Sequence, residues 1–141
     1  MDVLGAYLNS HIDKDVYEEQ APGYEELSSD GTKLTCQLNK SLYGLKQCCR
    51  NWFTTLTTYL RGKGFTANQN DPCVYASTDQ NVIILFWVDD IILAGISLDR
   101  NTKLKEMLHA KFKMDDRGKL RWFLGIEFQC HGESYRMSQQ R

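Results

Sequence analysis

The chain has 141 residues, of which 42% are hydrophobic and 25% are charged, and its formal net charge is −1. This length and composition are typical of one globular domain that can bury a single core. The near-zero net charge excludes a chain that binds nucleic acid through a strong overall basic field.

The cysteines of the chain exclude a familiar zinc site. They form no Cys-x-x-Cys pair and, with the three histidines, no zinc-ligand spacing. Their odd number and the lack of a leader-like start favour a reducing compartment, and no apolar run is long enough for a membrane helix. We therefore expect an intracellular protein, cytoplasmic in location, without a membrane partner. The cysteines are Cys36, Cys48, Cys49, Cys73 and Cys130.

The first half of the chain predicts a strand, a long loop and a helix. Residues 2–8 alternate apolar and polar side chains and predict a short strand. Residues 11–33 hold both prolines and two turn signals, so we expect a loop with at most a short strand near Val16 and Tyr17. From Leu45 to Arg61, apolar residues recur every three or four positions, which predicts an amphipathic helix.

The second half alternates strand and helix signals. A helix is predicted from Asp99 to Lys111, with Ser97 or Asp99 as its cap. The order predicts the α+β class: a ferredoxin-like split βαβ arrangement, with an antiparallel sheet and the helices packed on one face. The predicted strands are Cys73–Ser77, Asn81–Val88, Ile91–Ala94, Trp122–Gln129 and, more weakly, Ser134–Met137.

Two adjacent carboxylates interrupt the most apolar stretch, VIILFWVDDIILAG at residues 82–95. Asp89 and Asp90 could be the two loop residues of a β-hairpin, although such loops favour Asn-Gly or Asp-Gly. Alternatively they form a metal site, because clustered carboxylates bind Mg²⁺ and paired ions serve phosphoryl and nucleotidyl transfer. Asp2, at the start of the first predicted strand, offers a third carboxylate.

Five ordered sequence blocks lie between residues 2 and 128. FWVDDIILAG resembles the YVDD box of reverse transcriptases, with Trp87 in the tyrosine position. DVLGAYLN resembles the motif that carries the first catalytic aspartate, and VYEEQAPGY resembles VYMEQPPGF. KSLYGLKQCCRNWF is similar to KSLYGLKQAPRxWY, and FKMDDRGKLRWFLGIEF to F.MKDLG.L.YFLGIE. Together the five blocks resemble the polymerase of copia-type retrotransposons.

This resemblance implies a polymerase palm and a set of site residues. Asp2, Asp89 and Asp90 match the catalytic carboxylates that hold two Mg²⁺ ions, for which Mn²⁺ could substitute, and the Val3 carbonyl adds an oxygen ligand. Tyr7 matches the aromatic residue that excludes a ribose 2′-hydroxyl, with an ordinary core aromatic as the alternative. The nucleotide- and template-binding residues would be Val3, Tyr7, Gly44, Lys46 and Gln47. Lys46 could also be an ordinary solvated residue. The hairpin that contacts the primer would consist of Trp122, Phe123, Leu124 and Gly125, with core packing as the alternative interpretation. Trp52 is expected in the core.

The resemblance also implies partners and alternatives. The partners would be an RNA or DNA template with its primer and deoxynucleoside triphosphates. Because the fingers and thumb would lie outside residues 1–141, we expect a partial palm domain that is inactive alone. A non-catalytic retrotransposon-derived protein, acting as an interaction or nucleic-acid-binding module, is the alternative. A small Mg²⁺-dependent nuclease or cyclase is disfavoured by the SLYGLKQ block.

The expected clustering of Asp2, Asp89 and Asp90 also leads to a prediction about their pKa values. Without a cation they repel one another, so at least one should have a raised pKa. We further expect Asp2 and Asp89 to lie on adjacent strands, within reach of one metal ion.

Overall fold

The computed structural model of the chain describes residues 1–132 and 134–139. These residues contain two α-helices, one 3₁₀ helix and antiparallel sheets, so the fold is α+β as predicted. Two units can be distinguished: Gly5–Tyr59, and Met1–Leu4 together with the residues from Leu60 onward. None of the helices in the described ranges is long and apolar enough to cross a membrane.

The larger unit is built on an antiparallel sheet that has six strands within the described residues. Its strands are β1 (Asp2–Val3), β4 (Phe65–Ala67), β5 (Val74–Ser77), β6 (Val82–Trp87), β7 (Asp90–Gly95) and β8 (Met114–Asp115). Their order is β4-β5-β6-β7-β1-β8, so the N-terminal strand lies between β7 and β8. A second sheet contains β9 (Trp122–Phe123), β10 (Ile126–His131) and β11 (Ser134–Ser138), in the order β11-β10-β9.

The core of this unit follows from strand alternation. On β6, Val82, Ile84 and Phe86 are buried, whereas Ile83 and Trp87 are exposed. Period-two alternation of this kind places one face of a sheet in the core and leaves the other open. The helix α2 (Leu98–His109) packs near β7 and buries residues four apart, Leu104 and Leu108.

The start of α2 confirms the predicted cap. Ser97 is its N-cap, and its hydroxyl accepts a hydrogen bond from the backbone N–H of Arg100 at 3.3 Å. Asp99 lies in the first turn, where a carboxylate interacts favourably with the helix dipole.

The smaller unit differs from the prediction at its N-terminal end. The expected strand over residues 2–8 is wrong beyond Val3, because Ala6–Asn9 form a 3₁₀ helix. Gly5, with φ of 63°, turns the chain into this helix in a conformation that other residues rarely adopt. The predicted loop contains β2 (Tyr17–Glu19), which pairs with β3 (Thr35–Gln37), and the helix α1 spans Cys48–Gly62.

Candidate active site

The two adjacent aspartates lie at the tip of the β6–β7 hairpin. Trp87 pairs with Asp90, so the two loop residues are Val88 and Asp89 rather than Asp89 and Asp90. Val88 has φ of 55°, which is rare for a β-branched residue. Backbone held in such regions is concentrated at functional sites, where the surrounding structure maintains it. The prediction that both aspartates are loop residues of a hairpin is therefore confirmed for Asp89 and wrong for Asp90, which begins β7.

Strand β1 brings the third aspartate to the same place. Asp2 is the cross-strand partner of Asp90, and the Val3 N–H donates to the Asp89 carbonyl at 2.8 Å. The Ile91 N–H in turn donates to the Met1 carbonyl at 2.8 Å. Cross-strand partners project from the same face of a sheet, so Asp2 and Asp90 share one face. Asp2 therefore lies on the strand next to the one that Asp90 begins. The prediction that Asp2 and Asp89 lie on adjacent strands is wrong for Asp89, which is in the turn, and their reach of one metal ion stays a prediction.

A fourth carboxylate, that of Asp115, and one cation, Arg117, also belong to this cluster. The sequence patterns predicted neither. Asp2 is also the cross-strand partner of Asp115 on β8. The Arg117 guanidinium forms an ion pair with Asp2, and its Nε lies 3.7 Å from a carboxylate oxygen of Asp115. The Asp2 side chain is only 14% exposed, whereas that of Arg117 is 64% exposed. Arg117 thus covers the Asp2 carboxylate from the solvent side.

The cluster has more negative than positive charge, because Arg117 is the one cation described above beside its four aspartates. Burial raises the pKa of Asp90, and the neighbouring charges of Asp89 and Asp2 raise it further, while Arg117 lowers it. This confirms that one of the three carboxyls has a raised pKa. Carboxylate oxygens are the protein ligands that Mg²⁺ prefers. However, no three His, Cys, Asp or Glu side chains of the described residues are arranged as a ready metal site.

The raised pKa of Asp90 predicts a pH-dependent stability. A carboxyl that holds its proton more tightly in the folded state loses stabilisation as pH rises through its titration range. Without metal, Asp90→Asn should therefore raise the melting temperature at neutral pH by roughly 2 °C, a modest value because the group is partly solvated. Thermal unfolding between acidic and neutral pH measures this, with Glu106→Gln on α2 as an exposed carboxylate control. An unchanged pH dependence in Asp90→Asn would contradict the assignment.

Apart from Val3 on β1, the residues predicted to bind nucleotide and template lie in the smaller unit. Tyr7 is half-buried in the 3₁₀ helix, with its ring centroid 4.5 Å from that of Tyr43. Gly44 has φ of 98°, which explains a glycine there by backbone conformation. Lys46 is exposed and Gln47 is half-buried, both just before α1. Their contacts with a nucleotide or template remain a prediction.

Two tryptophans have contrasting positions. Trp52 is 2% exposed, which confirms that it is a core residue. Trp122 is 61% exposed and begins a hairpin in which Phe123 pairs with Ile126. Both loop residues of that hairpin have positive φ, as a type I′ turn requires. The single strand predicted over residues 122–129 is therefore two strands, and the core reading does not hold for Trp122.

Comparison with known proteins identifies relatives over most of the chain. The family model described as reverse transcriptase (RNA-dependent DNA polymerase) matches residues 1–141. The retrovirus-related Pol polyprotein from transposon TNT 1-94 of Nicotiana tabacum is 34% identical over 130 residues, 90% of this chain and 10% of that protein. The corresponding polyprotein from transposon RE1 of Arabidopsis thaliana is 33% identical over 143 aligned positions, 100% of this chain and 10% of its own length. The chain thus spans about a tenth of these relatives, and no solved structure matches it significantly.

Proposed function

The chain belongs to the reverse transcriptase (RNA-dependent DNA polymerase) family, among copia-type transposon relatives, and we propose that it forms the palm of such a polymerase. The proposed reaction is nucleotidyl transfer from deoxynucleoside triphosphates to a primer on an RNA or DNA template. The observation that carries it is the direct pairing of Asp2 with Asp90 beside the strained Val88–Asp89 turn. The antiparallel sheet is compatible with the ferredoxin-like arrangement of a palm, which is part of this proposal.

The carboxylate cluster provides suitable donors for divalent metal. Asp2, Asp89 and Asp90 would hold two Mg²⁺ ions, with the Val3 carbonyl as a further oxygen ligand. Bound ions would supply Lewis-acid stabilisation of the charge that develops on the phosphate. The protein contributes alignment, because the β1–β7 pairing fixes Asp2 and Asp90 on one face before any ligand arrives. The raised pKa of Asp90 supports this role, since a cation would relieve the repulsion that causes part of the shift.

The alternative is a non-catalytic protein on the same fold. It is favoured by the ion pair between Arg117 and Asp2, because that guanidinium already neutralises part of the cluster. Under this reading the chain would act as an interaction or nucleic-acid-binding module. The two readings differ in whether the cluster binds Mg²⁺ and supports synthesis.

A chimeric polymerase tests the proposed function. Residues 1–141 replace the matching segment of the TNT 1-94 polyprotein, which supplies the remaining parts of the enzyme. We expect Mg²⁺-dependent extension of a primer with deoxynucleotides, and no extension by residues 1–141 alone. A folded chimera that extends no primer under conditions in which the parent polyprotein does would overturn the catalytic proposal and favour the alternative.

Tyr7 provides a prediction about the sugar. If its ring excludes a ribose 2′-hydroxyl, Tyr7→Val in the chimera should raise ribonucleotide incorporation relative to deoxynucleotide incorporation by about 10- to 200-fold, as expected for a steric pocket contact. Single-nucleotide extension with each triphosphate measures the ratio. Tyr43→Val, which removes the ring beside Tyr7, serves as the matched control and should change the ratio much less. Equal effects of the two substitutions would assign Tyr7 a packing role only.

A further inference from the structure

Two consecutive thiols lie at the start of α1. Cys48 is buried and Cys49 is exposed, and their Sγ atoms are 4.0 Å apart. The Tyr7 hydroxyl lies 3.0 Å from the Cys49 Sγ, which adds an oxygen on the exposed side. The copia-type block that this segment resembles has Ala-Pro at these two positions, so the thiol pair is a feature of this chain.

A disulfide between the two cysteines does not suit this geometry. Consecutive Cα atoms are about 3.8 Å apart across a trans peptide. Disulfides usually join Cα atoms about 4.4–6.8 Å apart, with the sulfurs about 2.04 Å apart. Both residues lie in the first turn of a helix, and closing the bond would require that turn to rearrange. The pair is therefore better suited to share a ligand than to bond directly.

We propose that Cys48 and Cys49 form a binding site for a soft, thiophilic cation of the Cu(I) class. Metal–sulfur bonds of about 2.3 Å let one ion bridge sulfurs up to about 4.6 Å apart, so the 4.0 Å separation fits a bent S–metal–S unit. Soft thiolate ligands select Cu(I) and Zn²⁺ among biological metals.

The number of donors separates these two ions. Structural Zn²⁺ almost always has four ligands. Among the described residues, no group of three His, Cys, Asp or Glu side chains is placed to hold a metal, so this site offers two thiols and the Tyr7 hydroxyl. Cu(I) is satisfied by two or three ligands, which favours it here.

The binding step requires no oxidant or reductant. Each thiol loses its proton to solvent as its sulfur–copper bond forms, and copper stays in the +1 state. The Tyr7 hydroxyl keeps its proton and lies against the bound ion. Because Tyr7 touches Cys49, binding changes the environment of the phenol and can be followed optically. This inference does not depend on the proposed polymerase function.

The test is an anaerobic titration of the whole 141-residue chain with Cu(I), using bicinchoninate as a coloured competing chelator. We expect one tightest site, and we expect Cys49→Ser to weaken it by about a hundredfold, equivalent to about 2.7 kcal/mol. Cys36→Ser and Cys130→Ser, which remove other exposed thiols, are the matched controls and should leave this site unchanged. An equal loss in either control, or no loss in Cys49→Ser, would overturn the assignment.

Further measurements separate loss of the site from loss of the fold. Circular dichroism checks that each variant is folded. Cys48→Ala replaces the buried thiol with a small apolar group. We expect binding in the wild type to alter tyrosine fluorescence, and Tyr7→Phe to remove that change while keeping copper affinity within about threefold, under 1 kcal/mol. If a tyrosine response persists unchanged in Tyr7→Phe, the ion is bound elsewhere. If Zn²⁺ displaces Cu(I) at equal concentration, the assignment to the Cu(I) class is wrong.

Discussion

Asp89→Asn is expected to abolish primer extension in the chimeric polymerase, with a loss of about 1,000-fold or more, or about 4 kcal/mol of transition-state stabilisation. The amide has the shape of the carboxylate without its charge, and that charge is what a divalent cation requires. Asp89 lies in the two-residue turn, where its side chain is half-buried and forms no part of the core. The fold should therefore survive the substitution.

The control for this experiment is an exposed carboxylate that is not part of the cluster. Glu106→Gln changes an exposed position on α2 and should retain activity within about twofold, in keeping with the small effects of surface substitutions. Thermal unfolding of both variants separates loss of chemistry from loss of structure. Activity retained in a folded Asp89→Asn chimera would mean that the aspartate is only a turn residue.

Arg117→Leu is expected to increase the affinity of the chain for Mg²⁺ by about tenfold, or about 1.4 kcal/mol. Arg117 pairs with Asp2 and therefore competes with a cation for the same carboxylate. A full unit charge at about 4 Å is worth roughly 1 kcal/mol in water and more when partly buried, and the exposure of Arg117 keeps the effect near the lower value. Leucine is also the residue that the resembled block F.MKDLG carries at this position.

Two measurements check this prediction. Titration calorimetry gives the affinity directly, and the metal-dependent rise in melting temperature follows RT ln(1 + [Mg²⁺]/Kd). Arg136→Leu, an exposed arginine on β11, is the control and should leave the affinity unchanged. Without metal, Arg117→Leu should also lose stability more steeply as pH rises, because Arg117 holds the pKa of Asp90 down. If Mg²⁺ binds neither form at millimolar concentration, the cluster is not a metal site and the non-catalytic alternative gains support.

Local patterns predicted most elements whose signal is periodic. The β6–β7 hairpin alternates buried and exposed residues, and α2 has both its apolar spacing and its Ser97 cap. The short strand β8 was not predicted, since two residues carry no periodicity. The 3₁₀ helix at Ala6–Asn9 was predicted as strand, because alternation over a few residues does not distinguish an extended chain from a tight turn.

The sequence by itself determined the family, through five ordered blocks, and the three aspartates that this family predicts as ligands. It could not determine which aspartate faces which, because a shift of one residue in the hairpin turn exchanges the faces of every later side chain. The register of strand pairing determines it: Val88 and Asp89 form the turn, so Asp90 lies opposite Asp2. The same pairing adds Asp115, and the chain that follows β8 brings Arg117 onto Asp2 across 115 residues of sequence. Contacts at such separation depend on the whole sheet, so only the tertiary structure shows that the carboxylate cluster already has a cationic partner.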